Sequence, residues 1–310
     1  MAFHKIDSSS IDSITNAVDF FSIPPTNVTV SSSKVFEILP SNPLTDTPYH
    51  FKIHSSQNYI DLSKCYLLTE FRMRKLTPPN GEWGHLDTND QVVPIQLIGH
   101  TFIRDMKIAI NGREIFNSNS LMAYKTYLSH ELSQSLEAKV SHLTAAGYDR
   151  EDANNLQNSN SEGFKSRRQR YLGGRTAQYI AKIDADLFNV PQYLINHCEI
   201  DITIQPHDDN FLLIDTLDPP EALGFANSTY GNGIDYFSFL HTHCIYVFNM
   251  TNSGDDHGGL FDLIKKGCTA VNIKFKKPVP DGGITLIVMG EADSIYFLDK
   301  NRTIATDTTI

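Results

Sequence analysis

His241-Thr-His243 is where this sequence comes nearest to metal chemistry. Residues two apart on a strand share a face, so both imidazoles would point the same way and could begin a metal site. Cupins, which are jelly rolls, open their metal motif like this and add a Glu a few residues on. Here Cys244-Ile-Tyr-Val-Phe248 follows, with no carboxylate. His207-Asp-Asp209 and Asp255-Asp-His257 are further clusters that could reach a metal. The plainer reading of all three is solvated polar residues on loops or strand edges. Lys165, Arg167, Arg168 and Arg170 form a short basic run. It reads as a nuclear-import signal, a phosphate contact, a solvated loop or a salt-bridging surface between subunits. Gly173-Gly-Arg175 lacks the strand-then-helix setting of a phosphate cradle. Trp83, Tyr230 and loop carboxylates are what a lectin-like sandwich would use. The sequence contains no Gly-x-Ser-x-Gly, no Cys-x-x-Cys and no phosphate-loop motif. The expectation is a protein that is not an enzyme and needs no cofactor, with His241 and His243 as the metal candidates to check.

Composition narrows the classes. The chain has 310 residues, 40% hydrophobic and 20% charged, enough for one large core or two smaller ones. A net charge of −10 makes it a poor coat for nucleic acid, whose affinity comes largely from Lys and Arg on phosphates. No apolar run approaches the roughly 20 residues a membrane helix needs, and the N-terminus shows no apolar signal-peptide core. Cys65, Cys198, Cys244 and Cys268 are far apart, and three lie in strand-like runs. Reduced, buried thiols in an intracellular folding environment are expected.

The elements that would position any site are mostly strands. Odd positions from Tyr179 to Leu187 are apolar, and Cys198, Ile200, Ile202 and Ile204 alternate with Glu199, Asp201, Thr203 and Gln205. Period two means one face in a core and one in water. Shorter strands are expected at Val35–Leu39, Tyr49–Ile53, Phe211–Ile214, Tyr236–Leu240, Cys244–Phe248 and Ile295–Leu298, with a long one over Cys65–Leu76. Val271, Ile273 and Phe275 alternate with polar neighbours, and the fully apolar Ile284–Met289 reads as a strand covered on both faces. Asn111-Gly112 between apolar runs predicts a two-residue hairpin, because a type I′ turn needs positive φ at both positions. Leu121, Tyr124, Leu128, Leu132, Leu136, Val140 and Leu143 recur at three or four, predicting a helical region over 120–144 that breaks near 129–133 and stops at Gly147. Residues 148–166 read as a polar surface loop, and 1–22 as an arm ordered only by neighbours. Many short strands with one helical excursion point to an all-β sandwich or jelly roll.

Several segments, in order, carry a resemblance. They are Val18-Asp-Phe-Phe-Ser-Ile-Pro-Pro-Thr26, Tyr59-Ile-Asp-Leu-Ser63, Val93-Pro-Ile95, Asp105-Met-Lys-Ile-Ala-Ile-Asn-Gly112 and Tyr124-Lys-Thr-Tyr-Leu128. After them come Gly174-Arg175, Asp184-Ala-Asp-Leu-Phe188, Ile200-Asp-Ile202 to Phe211-Leu-Leu213, Gly267, Phe275, Ile284 to Val288 and Asp299-Lys-Asn-Arg302. This order resembles the major capsid proteins of Polinton (Maverick) transposable elements and adintovirus-like viruses. The resemblance implies a double jelly-roll, two eight-stranded antiparallel sandwiches side by side. It further implies a homotrimer forming pseudo-hexagonal capsomers of an icosahedral capsid, synthesised and assembled inside the host cell, with a penton or minor capsid protein as a further partner. The expected organisation is an arm at 1–22, a first roll at 23–215 and a second at 216–310. Only about 95 residues follow Asp215, so the second roll is expected to be short or incomplete. The arm and Arg167, Arg168 and Arg170 are expected, from exposure, to touch neighbouring subunits. The alternatives are a cupin-like metalloenzyme using His241 and His243, or a lectin-like carbohydrate-binding sandwich.

Overall fold

A computed structural model describes residues 3–4, 32–54, 56–77, 82–150, 159–215, 245–248, 264–265, 270–271, 273, 275, 278–279, 283–290 and 296–306. The chain divides into two compact units. One comprises Glu37–Ile245 with Phe297–Ala305; the other comprises Met1–Phe36, Tyr246–Tyr296 and Thr306–Ile310. The strands are antiparallel throughout the recorded pairings, with several helices between them.

In the second of these units, β1 (Phe3–His4) pairs with β12 (Ile264–Lys265). Ile284, Leu286 and Val288 are exposed, and no strand forms over 283–290. That corrects the expectation of a doubly covered strand at Ile284–Met289: an apolar run becomes a buried strand only where layers exist to cover it.

The larger unit is built around a four-stranded sheet in the order β2 (Tyr49–Ile53), β10 (Ile200–Pro206), β7 (Ile103–Ile110), β8 (Arg113–Asn117). Its register explains the alternation. Ile200, Ile202 and Ile204 stand opposite Ile110, Ile108 and Met106 on one side and Ile53, Phe51 and Tyr49 on the other. One slip of register would turn this whole row to solvent, so burial sets the pairing. A second layer is the pair β3 (Tyr66–Arg72) and β9 (Thr176–Lys182). Its inner face offers Leu67 and Phe71 against Ala181 and Ala177, with Tyr179 alongside. The same core holds Met106, Ile108 and Ile202, and Phe71 meets Phe102 edge-on at 5.4 Å.

Smaller pairs complete this unit: β4 (Lys75–Thr77) with β5 (Glu82–Gly84), and β6 (Val92–Pro94) with β11 (Leu213–Asp215). The long strand expected over Cys65–Leu76 is therefore two strands, interrupted at Met73 and Arg74. Val35–Leu39 is not a strand, and Val35, Phe36 and Leu39 are exposed.

The helical excursion falls where periodicity placed it, but in pieces. It comprises α2 (Met122–Ser133), α3 (Leu136–Val140) and a 3-10 turn at His142–Ala146. Ser135 caps α3 by accepting from the Ala138 N–H at 3.3 Å. Gly147 ends the run at φ 90°, where a Cβ would lie 3.0 Å from Ile98 Cγ2 and from Tyr179 Cε1. Ahead of α2, the short α1 (Ile98–Thr101) lies against it and is buried. A further helix, α4 (Glu162–Gln169), begins inside what read as a loop and takes its last residues, 162–166; Ser161 caps it by accepting from the Phe164 N–H.

Candidate functional site

The Asn111-Gly112 hairpin forms as expected. Ile110 pairs directly with Arg113, and φ is 51° at Asn111 and 77° at Gly112. Asn111 does more than turn the chain. Its backbone N–H donates to the Glu199 carbonyl at 2.9 Å, and its Oδ1 accepts from the Glu199 N–H at 2.8 Å. Its Nδ2 donates to the Arg302 carbonyl at 2.8 Å. The hairpin tip is thus tied to the start of β10 and to the turn before β14 (Ile304–Thr306), which follows β13 (Tyr296–Leu298).

The basic run is not the exposed loop it promised to be. Arg167, on α4, is 1% exposed and donates Nη1 to the Pro94 carbonyl at 2.7 Å. Arg170 makes a fork to Asp149 at 2.6 and 2.7 Å, and Ser166 donates to the same carboxylate. Arg168 is half-buried, with its guanidinium 6.0 Å from the Phe164 ring centroid. Exposure was the premise for inter-subunit roles at Arg167, Arg168 and Arg170, and for Arg167 that premise fails. The local reason is α4: a capped helix turns residues three apart to one side, so Phe164 and Arg167 go inward together.

A polar cluster that no motif announced lies under α2. His100 of α1 and His130 of α2 have ring centroids 4.7 Å apart. His100 is 5% exposed. Burial, reinforced by the neighbouring His130 and opposed by Asp184, holds its pKa down at about 3. Burial also lowers the pKa of His130, against the pull of Asp184 and Glu131. Thr126 Oγ1, His130 Nε2 and Asp184 Oδ2 are buried with no protein hydrogen-bond partner. Lys125 reaches across to the Asp184 carbonyl at 3.0 Å and to Asp186 Oδ1 at 3.1 Å. A cavity of about 10 Å³ touches Gly99, His100, Met122, Thr126 and Asp184. That volume is of the order of one water, far below the few hundred Å³ of a substrate site. The cluster is acid-sensitive packing rather than a reaction chamber. At the residue after His130, Glu131 and Lys139 are both buried and pair at 2.5 Å, joining α2 to α3.

Two outward faces are apolar. Along the helical excursion, Leu121, Tyr124, Leu132 and Val140 are exposed, whereas Met122, Ala123, Thr126 and Glu131 are buried. The row expected to face the core is offset by about one residue. The short, broken helix buries small and internally paired groups against α1 and β7, leaving much of the leucine row outside. On the β3–β9 pair, Leu68 and Ile180 stand opposite each other at 57% and 52% exposure, beside Tyr66. Glu70 and Gln178, hydrogen-bonded to each other, continue that face.

His241, His243, Asp255, Asp256, His257, Tyr230, Cys244 and Cys268, with the arm at 1–22 except Phe3 and His4, lie outside the described residues. His207 stacks on Phe211, centroids 3.7 Å apart, rather than joining Asp208 and Asp209 around a shared centre. Among the described residues no group of three or more His, Cys, Asp or Glu could hold a metal, and no helix is long and apolar enough to cross a membrane. Trp83 is exposed on β5, and Cys198 is a buried free thiol whose pKa burial pushes up.

No known protein-family profile matches the chain. It is similar to an uncharacterized protein of Caenorhabditis elegans, 31% identical over 219 residues, a match covering 69% of this chain and 46% of that protein. The chain thus spans about half the length of the curated relative it matches.

Proposed function

We propose that this protein is a shell-forming structural protein, a major capsid protein of double jelly-roll type that trimerises into pseudo-hexagonal capsomers. Its chemistry is contact between copies of itself, not catalysis. On this reading it resides in the virion capsid and is made and assembled within the host cell. The antiparallel two-layer core and the ordered segments that resemble Polinton capsid proteins support it. The observation that carries it is the outer face of β3–β9, where Tyr66, Leu68 and Ile180 lie together in the open. A cross-strand apolar cluster on the solvent side of a sheet costs solubility and gives a folded monomer nothing, but it suits a subunit interface.

Sedimentation or light scattering of the purified protein, followed by electron microscopy, tests the reading. A trimer or larger closed particle is expected. A species that stays monomeric at high concentration would refute it.

A further inference from the structure

We propose that the outer face of β3–β9 packs on the same face of a second copy of this chain, across a two-fold axis that lies between the sheets and runs perpendicular to the strands. This contact rests on the shell-forming reading and gives the geometry of one of its interfaces. Even-numbered residues of both strands share the outer face. Their cross-strand pairs run in the order Tyr66 with Lys182, Leu68 with Ile180, and Glu70 with Gln178. Tyr66, Leu68 and Ile180 are exposed. The Leu68–Ile180 pair is therefore an apolar centre with an ammonium on one flank and a carboxylate on the other. Glu70 accepts a hydrogen bond from Gln178, and among the described residues neither Glu70 nor Lys182 has an ion-pair partner.

Charge selects both the occupant and the axis. A two-fold axis across the strands reverses strand direction in the partner and keeps each strand over its own counterpart. Leu68 then meets the partner's Leu68, and Ile180 the partner's Ile180. Glu70 comes over the partner's Tyr66, whose hydroxyl can donate to it, and diagonally beside the partner's Lys182. Both flanks of the apolar centre thus gain opposite charges. An axis along the strands would instead set Glu70 beside the partner's Glu70 and Lys182 beside the partner's Lys182, which is destabilising. Aligned sheets cross at about 30°, so only these three central pairs stay opposed. They cover roughly 200 Å² of each copy, against about 800 Å² per partner in a stable complex. Such a contact forms only between copies that other contacts already hold together, at the high effective concentration of an assembly. A closed three-fold ring needs two different patches, whereas this patch is self-complementary. Its place is therefore between capsomers, not within one.

Thiol cross-linking of the assembled full chain carrying Leu68→Cys tests the contact. Sheets stacked about 10 Å apart are beyond a direct disulfide, so a short bis-maleimide is the probe, with linked peptides read by mass. A link between the substituted positions of two copies is expected, and Ile180→Cys should behave alike. Particles that form without such a link, or with links only to other positions of the same or another chain, overturn the contact and leave the shell-forming reading standing. A protein that never leaves the monomer overturns both. If the cysteine variants fail to fold, charge reversal decides. Glu70→Lys and Lys182→Glu should each leave trimers intact but raise the concentration at which they join into particles at least about fivefold, and the double variant should restore it. Single variants that assemble like the unaltered protein, or a double variant as weak as either single, overturn the contact.

Discussion

Acid should weaken this protein before its carboxylates alone would, and His100 is the reason. In the folded chain its imidazole is buried and neutral, with a pKa of about 3, against 6.5 when solvated. Below pH 6.5 the unfolded chain therefore binds a proton that the folded chain refuses. Stability is full above that value and is lost progressively as pH falls from 6.5 toward 3. Each pH unit in the window costs about 1.4 kcal/mol for this one group, hence about 2.7 kcal/mol by pH 4.5. Against a total stability of about 5–15 kcal/mol that is a large fraction. His130 adds to it in the same direction. The assay is urea unfolding of the unaltered protein and of His100→Asn at pH 7, 5.5 and 4.5. Carboxylate contributions are common to both chains and cancel in the difference. The variant should lose less stability between pH 7 and 4.5, by about 2–3 kcal/mol. Identical pH slopes would refute the argument, since they would mean that the buried ring does not resist protonation.

Glu131→Gln should destabilise by about 3–5 kcal/mol in urea unfolding, because it removes the carboxylate that pairs with the buried Lys139 ammonium at 2.5 Å; Glu131→Leu with Lys139→Met should recover most of that. Gly147→Ala combines a left-handed φ with contacts at 3.0 Å and should lower stability by at least about 1 kcal/mol, whereas the same change at Gly112 meets open space and should cost only the backbone strain. Ile202→Ala, at the centre of the four-stranded sheet, should cost about 2–5 kcal/mol. Leu68→Glu should leave the unfolding free energy within about 0.5 kcal/mol but reduce the sedimenting mass, because its side chain faces outward; an unchanged assembly state would remove β3–β9 as the contact face.

The strands were legible because burial on one face writes period two into the residues themselves. Ile200, Ile202 and Ile204 announced β10 and its buried side, and Tyr179 and Ala181 did the same for β9. The hairpin at Asn111-Gly112 was equally plain, since few residues other than Asn and Gly take positive φ at low cost. Misplaced elements failed for local reasons. The leucine row on α2 obeys helical spacing, but spacing fixes only that residues share a face, not which face the rest of the chain covers. The α4 segment carries too few apolar residues to look buried, although Ser161 two residues before Gly163 and three before Phe164 is a capping signal that could have found it.

Sequence alone therefore determined the antiparallel, one-face-buried strands, the hairpin and the helical interruption, because each depends on residues within a few positions of one another. Tertiary structure decided which polar groups meet. His100 and His130, Glu131 and Lys139, and Arg170 and Asp149 are brought together by chain reversals that leave no periodic trace, and the energy of each pair depends on the solvent excluded around it.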